Sequence, residues 1–347
     1  MVLALDLAGT KCGGRLAQYC LKSCAQTNET RVVTKVFIDG QAGTTGLQIS
    51  ERLAQRADIE LLAIDEHARK EANARADMFE RCDVAILCLP DDAAREAVAL
   101  ANGRCRILDA STAHRISPEW AYGLPELGPN QRAAIASADL VANPGCYPQG
   151  FILMVKPLID AAMLPTDLAL SVHALSGYSG GGKSLIQSRQ GFDPNTVERR
   201  NTEAYGLQLK HKHVPEMQHY SGTAGTPLFT PSVGHYYQGM LVQVPLFSQN
   251  LQPGTTIEGV HALLADRYAD EAYIHVHQPG AEDCLQDGFL NATQCNGTNR
   301  LEIMVFGHSE QILLVARYDN LGKGAGGAAV QNLNLMIGAD ESAGLAQ

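Results

Sequence analysis

The stretch that decides the fold is Val-Val-Thr-Lys-Val-Phe-Ile-Asp-Gly-Gln-Ala-Gly-Thr-Thr-Gly, residues 32–46. An apolar run ends in a glycine-rich turn here, and a segment of helical character, 47–56, follows. This order predicts a strand, a tight turn and a helix, with Glu60–Asp65 as the next strand. Glycines let the backbone turn tightly and bring the helix N-terminus against a pyrophosphate. We therefore predict a dinucleotide site that includes Gly40, Gly43, Thr44, Thr45 and Gly46.

The glycine spacing is Gly-x-x-Gly-x-x-Gly, whereas the commoner dinucleotide pattern is Gly-x-Gly-x-x-Gly. Asp65 strengthens the prediction, because an acid at the end of the second strand can bind the adenosine ribose. Arg69 and Lys70 follow at once and could instead meet a 2′-phosphate, or could be ordinary solvated charges. The residues alone leave NAD and NADP open.

Strands continue to alternate with helices after this unit. The sequence predicts strands over 84–89 and 106–108 with a helix over 93–101 between them, which indicates a parallel sheet. Ligands bind at the carboxyl ends of such strands, so Cys88 and the segment 109–115 should border the cofactor crevice. Two hydroxyls and a guanidinium in that segment suit a phosphate or a carboxylate. They belong to Ser111, Thr112 and Arg115.

One cysteine stands out as a nucleophile. Residues 143–150 read Asn-Pro-Gly-Cys-Tyr-Pro-Gln-Gly and precede an apolar run. This places Cys146 at a predicted helix start, where free N–H groups and the helix dipole favour a thiolate. Further on, His211 and His213 lie in a short basic segment, and either could transfer protons beside a thiol.

Composition narrows the function classes. The chain has 347 residues, 45% hydrophobic content and a formal net charge of −10, which indicates a soluble protein with a large core. The charge argues against nucleic-acid and membrane partners. Nine scattered cysteines without a Cys-x-x-Cys pair predict reduced thiols, a cytoplasmic location, and neither disulfides nor a metal site. Residues 1–31 have a different composition and are interpreted as an extension of unknown role, with a targeting segment less favoured.

Residues 177–184 match the P-loop pattern Gly-x-x-x-x-Gly-Lys-Ser, which would indicate a nucleotide triphosphatase. We interpret this match as a decoy, because a dinucleotide unit already opens the chain and no strand ending in Asp follows soon. A dinucleotide sensor without turnover is a further alternative. The combination of Cys146 with His211 argues against it.

Seven segments together resemble N-acetyl-gamma-glutamyl-phosphate reductase, in its shorter form. They are 38–46, 109–115, 123–127, 143–150, 176–183, 211–216 and 319–329. The resemblance runs from about Val32 to Gly338, and it implies an NADPH-dependent enzyme of arginine biosynthesis. It also implies an α/β fold that combines a Rossmann-like NAD(P)-binding domain with an α+β semialdehyde-dehydrogenase-like catalytic and dimerisation domain. The family's own glycine loop falls on 176–183, which removes the P-loop interpretation.

The resemblance implies a role for each site residue. The nucleophile falls on Cys146 and the acid/base on His211, with His213 as the reserve candidate. Further cofactor contacts are Asp65, Cys88, Ser176, Gly177, Gly180 and Asn320; substrate contacts are Ser111, Thr112, Arg115, Asn143, Gln149 and His213. The substrates would be an acyl phosphate and, in reverse, inorganic phosphate.

Domain boundaries follow from the same resemblance. The NAD(P)-binding domain is expected over 32–145 and 319–347, with the chain returning to it through a helix near Gly324. The catalytic domain is expected over 146–318. Its strand-like runs suit an antiparallel sheet, and the family implies a homodimer or homotetramer.

The length of the acyl group of the substrate stays open, so aspartyl and aminoadipyl phosphates are alternative substrates.

Overall fold

A computed structural model describes residues 33–347 and divides them between two large sheets. The first sheet has six strands in the order β2-β1-β3-β4-β6-β5, all paired in parallel. Its strands are β1 Thr34–Asp39, β2 Ile59–Leu62, β3 Val84–Leu87, β4 Arg106–Asp109, β5 Ala121–Tyr122 and β6 Leu140–Ala142. Helices α1 Thr44–Leu53, α2 Ala72–Arg81, α3 Asp91–Ala101 and α4 Gln131–Ser137 connect them. The predicted alternation of strands and helices is confirmed.

Helices cover both faces of this sheet. On one face Ile49 and Leu53 of α1 pack against the sheet, and on the other Phe79 of α2 packs with the alanines of α3. Every residue of β3 is buried, as expected for a central strand of a parallel sheet. The sheet therefore presents the carboxyl ends of its strands as its open edge for ligands.

The second sheet has seven strands in the order β11-β14-β15-β10-β7-β9-β8. They are β7 Ser171–Gly177, β8 Thr202–Ala204, β9 Leu228–Gly234, β10 Met240–Phe247, β11 Ile274–Val276, β14 Leu301–His308 and β15 Gln311–Tyr318, and a hairpin of β12 Leu285–Gln286 and β13 Phe289–Leu290 lies between β11 and β14. The expectation of an antiparallel sheet is wrong for two pairs, because β7 with β9 and β11 with β14 are parallel. Long connections, 178–227 and 277–300, give each pair the crossover that parallel strands require.

Six further helices complete the fold. They are α5 Cys146–Asp160, α6 Gly182–Gln190, α7 Pro194–Arg199, α8 Val214–Ser221, α9 Ile257–Arg267 and α10 Gly327–Met336. Helix α5 is buried along most of its length and packs between the second sheet and α8 and α9. Its first turn therefore has a fixed position at the meeting point of the two sheets.

The chain returns to the first sheet through α10, whose Val330 and Leu333 share a core with α1. The expected helix start near Gly324 is a π-helical turn, Gly322–Gly326, and the α-helix begins at Gly327. Two other elements are shifted by three residues. The helix predicted over 47–56 is α1 Thr44–Leu53, and the strand that the apolar run predicts over 168–174 is β7 Ser171–Gly177. Apolar runs marked these elements but did not mark their ends.

The predicted extension over residues 1–31 lies outside the described residues. Within 33–347, no helix is long and apolar enough to cross a membrane.

Candidate active site

Two adjoining cavities lie where the sheets meet. The larger, of about 720 Å3, is lined by many of the predicted site residues. These are Thr44, Thr45, Arg115, Asn143, Cys146, Ser176, Gly177, Gly180, His211, His213 and Asn320. The smaller, of about 250 Å3, surrounds the start of α1 and is lined by Gly43, Thr44, Thr45, Gly46 and Cys88, among others. Segments far apart in sequence therefore converge on one site, as the sequence analysis predicts.

Cys146 is the first residue of α5, and Gly145 is its N-cap. Burial raises the pKa of the Cys146 thiol to about 11, although Arg115 and the N–H of Tyr147 both favour the thiolate. The expected helix start is confirmed. Burial outweighs the helix contribution in the protein without a substrate, and a sequence does not show burial.

Three polar side chains converge on Gly145, directly before the nucleophile. A Cβ atom at Gly145 would lie 2.6 Å from Nη1 of Arg115, 2.7 Å from Nε2 of His213 and 2.9 Å from Oε2 of Glu216. The backbone of Gly145 is ordinary extended chain, with φ −70°, so close packing is what requires glycine here. Cys146 thus begins its helix beside a guanidinium, an imidazole and a carboxylate.

Glu216 is a residue that the sequence analysis missed. It is buried, and its Oε1 accepts hydrogen bonds from the Tyr122 hydroxyl (2.6 Å) and from the Gly145 N–H (2.7 Å). Its Oε2 accepts from Nη1 of Arg115 at 3.2 Å. A glutamate in the first turn of a helix gives no sign of partners this distant in sequence. The carboxylate fixes both the loop before Cys146 and the orientation of Arg115.

Arg115 also donates from Nε to the carbonyl of Asn143 and from Nη2 to the carbonyl of Ala110. The structure thus holds its guanidinium rigidly at the wall of the large cavity, where the sequence analysis expects an anion.

Both candidate histidines line the large cavity. Nδ1 of His211 accepts the backbone N–H of His213, so the proton of neutral His211 lies on Nε2. Burial, with a contribution from Lys212, lowers the pKa of His211 to about 4. Burial lowers the pKa of His213 still further below its ordinary value, helped by Arg115. Both imidazoles are therefore neutral near pH 7.

Three predicted substrate contacts already have partners within the protein. Ser111 donates through its hydroxyl to Asp109, and Thr112 donates to Asp91. Gln149 is fully buried and donates to the carbonyl of Lys323, one turn below the nucleophile. None of the three belongs to the described lining of either cavity. Their roles as substrate contacts stay predictions, and the structure shows them supporting neighbouring loops.

Gly40 and Asp65 also lie outside the described lining of both cavities. Gly40 has φ +91°, and a Cβ there would lie 2.3 Å from the carbonyl oxygen of Cys88, so the turn requires glycine. Similarly, a Cβ at Gly46 would lie 2.6 Å from the carbonyl oxygen of Gly40. Asp65 is exposed beyond β2 and accepts the N–H of His67. Its contact with a ribose stays a prediction.

Asn320 connects the glycine loop to the second sheet. Its Oδ1 accepts the N–H of Gly239 at 2.8 Å, and its Nδ2 donates to the hydroxyl of Ser179 at 2.9 Å. A Cβ at Gly180 would lie 3.4 Å from the same Nδ2. Asn320 therefore fixes the loop that follows β7 against the mouth of the cavity.

A buried ion pair lies beneath the site, and the sequence analysis did not predict it. Nζ of Lys323 donates to Glu126 at 2.7 Å and to Gln331 at 2.6 Å, and both charged side chains are fully buried. Lys323 lies in the π-helical turn, where a Cβ at Gly324 would be 3.1 Å from Cβ of Cys146. The pair anchors the segment that packs directly against the nucleophile.

Comparisons with known proteins agree with this geometry. Residues 35–136 match the family described as semialdehyde dehydrogenase, NAD binding domain, and residues 146–320 match semialdehyde dehydrogenase, dimerisation domain. The crystal structure of aspartate semialdehyde dehydrogenase II from Vibrio cholerae is similar in fold, with a TM-score of 0.67 at 19% identity over 88% of this chain and 98% of that one. The chain therefore has the two domains of a semialdehyde dehydrogenase.

Curated relatives narrow the class. N-acetyl-gamma-glutamyl-phosphate reductase 2 of Nostoc sp. is 52% identical over 318 residues, which cover 90% of this chain and 99% of that protein. N-acetyl-gamma-glutamyl-phosphate reductase of Brucella ovis is 50% identical over 308 residues, 88% of this chain and 99% of that protein. The chain belongs to the N-acetyl-gamma-glutamyl-phosphate reductase family, and the resemblance stated from the motifs is confirmed.

Proposed function

We propose that this chain reduces N-acetyl-L-glutamyl 5-phosphate to N-acetyl-L-glutamate 5-semialdehyde with NADPH. The observation that carries the proposal is the convergence of Arg115, His213 and Glu216 on the residue before Cys146. Curated relatives at about 50% identity, all named for this activity, support the choice of substrate. We further propose arginine biosynthesis in the cytoplasm as the setting of the reaction.

Cys146 is the proposed nucleophile. Its thiolate attacks the acyl carbon, the carbon–oxygen bond to the phosphate breaks, and a thioester remains on the sulfur. The first N–H groups of α5 have no partners within the helix, so they can stabilise the negative charge that develops on the acyl oxygen. Because the thiol is protonated near neutral pH, activation requires a base or the positive field of the site.

His211 is the proposed base, with His213 in reserve. His211 keeps its proton on Nε2 when its Nδ1 accepts from His213, so it can take up another proton only by releasing that bond, whichever nitrogen then receives the proton. Among the residues that the structure describes, none forms a hydrogen bond with the buried Nδ1 of His213, and Nε2 of His213 points at Gly145. This difference makes the two histidines separable by experiment.

Arg115 and Lys212 are the proposed binding groups for anions. Arg115 has a fixed orientation, whereas Lys212 is exposed at the cavity wall. A phosphoryl group and a carboxylate are both anionic, and the two cations line the same cavity as Cys146. Their charges also favour the thiolate of Cys146.

The start of α1 is the proposed site for the cofactor pyrophosphate. The backbone packs so closely around Gly40 and Gly46 that side chains are excluded, and the small cavity opens onto the first N–H groups of α1. These features fit a dinucleotide. A bound nicotinamide supplies the hydride that reduces the thioester. Collapse of the resulting thiohemiacetal then releases the semialdehyde and restores the Cys146 thiolate.

Phosphate-dependent reduction of NADP by N-acetylglutamate semialdehyde tests the proposal in the reverse direction. We expect activity in the wild type, none in Cys146→Ser, and wild-type activity in Cys105→Ser, another partly buried cysteine far from the cavity. NAD in place of NADP tests the cofactor, and aspartate semialdehyde tests the chain length. Turnover only with aspartate semialdehyde, or full activity of Cys146→Ser, would contradict the proposal.

We also propose the domain boundaries given above, within the described residues, and a homodimer. Within residues 33–347, no α-helix covers the face of the second sheet opposite α5, where Phe247 is 52% exposed and Leu228 46%. The two side chains point to the same face, as their registers with neighbouring strands show. Light scattering on the purified chain should give twice the monomer mass, and the Phe247→Glu variant should give the mass of one monomer.

A further inference from the structure

A histidine, an aspartate and a cysteine meet outside the catalytic cavity. His277 directly follows β11, and Asp283 and Cys284 lie in the turn before β12. One donor atom from each lies within 4.8 Å of the other two. This His277 cluster packs over Glu302 and Arg317 of β14 and β15, on the sheet face opposite α5.

The imidazole of His277 is buried without a hydrogen bond. Its side chain is only 8% exposed, and within the described chain neither ring nitrogen has a hydrogen-bond partner. Nδ1 lies 3.4 Å from Oδ2 of Asp283, and Nε2 lies 3.5 Å from Oε2 of Glu302. Neither contact has hydrogen-bond geometry, but each ring nitrogen faces a carboxylate at ion-pair distance. A cation between Nδ1 and Oδ2 of Asp283 would satisfy both of these atoms.

Glu302 is oriented to support such a partner. Arg317 donates to its Oε2 from Nε at 2.8 Å and from Nη2, which lies 2.6 Å away. A carboxylate beside Nε2 of a histidine selects the tautomer that leaves Nδ1 free to bind a metal. Arg317 and Glu302 neutralise each other, so the guanidinium does not oppose a cation at Nδ1.

We propose that Nδ1 of His277, a carboxylate oxygen of Asp283 and Sγ of Cys284 bind one divalent transition-metal ion, with zinc the best fit. Nitrogen, oxygen and sulfur donors together are typical of Zn²⁺, and one thiolate with one carboxylate balance its charge. Cys284, which donates to the carbonyl of Ala281 at 3.1 Å, releases its proton on binding. Asp283 is 73% exposed, so solvent reaches the fourth position.

The ion would attach the turn before β12 to the sheet, and its role is structural. The sequence predicts no metal site, because it contains neither a Cys-x-x-Cys pair nor a paired Cys/His metal spacing. This site uses a single cysteine with an adjacent aspartate and a histidine, a spacing without a familiar pattern.

Cobalt titration of the chelator-treated full chain tests the proposal, with visible absorption as the readout. We expect one Co²⁺ per chain, with the intense bands of tetrahedral cobalt and a thiolate-to-cobalt charge-transfer band. Cys146→Ser should keep the bands, and Cys284→Ser should lose them. Asp283→Asn, a change at an exposed side chain, should weaken binding at least about tenfold, since even changes outside the ligand shell cost about 10–100-fold. Zinc should raise the melting temperature of the wild type and of Cys146→Ser only.

The absence of a charge-transfer band, its persistence in Cys284→Ser, or its loss in Cys146→Ser would each overturn the proposal. Circular dichroism of each variant without metal verifies folding. If Cys284→Ser does not fold, Asp283→Asn decides alone: unchanged cobalt affinity refutes the site.

Discussion

The Glu216→Gln substitution tests whether one buried carboxylate controls both the stability of the site and the reactivity of Cys146. The glutamine oxygen can keep the hydrogen bonds from Tyr122 and Gly145, whereas its NH2 group would face Arg115, which is also a donor. The change removes one charge-assisted hydrogen bond, worth about 1.5–3 kcal/mol. An unfolding entropy of about 2.1 cal/mol/K per residue converts this loss, over residues 33–347, into a melting temperature lower by about 2–5 °C.

The same substitution should make Cys146 more acidic. Burial is the main cause of the raised pKa of Cys146, and the negative charge of Glu216 adds to it. Removing that charge favours the thiolate, so the pKa of Cys146 should fall. The assay is the rate of iodoacetamide labelling of Cys146 as a function of pH, followed by mass spectrometry of its peptide.

Glu96→Gln, at an exposed position on α3, is the matched control and should change neither quantity. Glu216→Ala should destabilise the protein more than Glu216→Gln, because it also leaves the Gly145 N–H without its acceptor. A pKa of Cys146 that stays constant or rises in Glu216→Gln would refute the electrostatic reasoning, even if the melting temperature falls as expected.

Three further substitutions test other parts of the site. Gly145→Ala places a Cβ within 3 Å of three polar atoms, so the activity should fall about hundredfold. The circular dichroism spectrum should not change. Near-normal turnover would contradict this prediction and show that the loop can move. Lys323→Met leaves Glu126 buried and unpaired, and urea unfolding should show a loss of about 3–5 kcal/mol, partly recovered by adding Glu126→Gln. His211 has a pKa lowered from 6.5 to about 4, so the unfolded chain takes up the proton first and stability falls as pH drops through this range. In His211→Gln, the free energy of unfolding should decrease less steeply with falling pH than in the wild type. An identical pH dependence in both proteins would contradict the prediction.

The cofactor-binding half of the fold could be predicted from the sequence because the residues that determine it are close together in the chain. A glycine turn between an apolar run and a helix predicts a strand, its direction and a candidate anion site within a few residues. A contact inside that turn requires glycine at position 46, whereas Gly40 is required by its positive φ and by the carbonyl of Cys88. The helix start at Cys146 was predicted for the same reason, since the loop and the helix that follows it are contiguous in sequence. The parallel pairing of β7 with β9 could not be predicted from the sequence, because it depends on a long connection and not on strand composition.

The supporting residues were missed because their signals are not local. Glu216, Glu126 and Lys323 are charged side chains, which are ordinarily exposed, and nothing near them in sequence shows that they are buried. Ser111 and Thr112 were assigned to a phosphate by residue type, but Asp109 and Asp91 supply intramolecular acceptors. A sequence pattern shows which groups could bind a ligand and leaves open which ones the protein uses itself.

The return of α10 to the first sheet has a consequence for synthesis on the ribosome. Strands β1 to β6 emerge first, yet the core on one of their faces includes Val330, Leu333 and Met336, which are made almost last. Until α10 is made, α1 and α4 alone among the described helices cover that face, while the second sheet forms from residues in between. A chain that ends before Gly327 therefore leaves the part of this core that α10 covers exposed, and exposed apolar surface of this kind promotes aggregation.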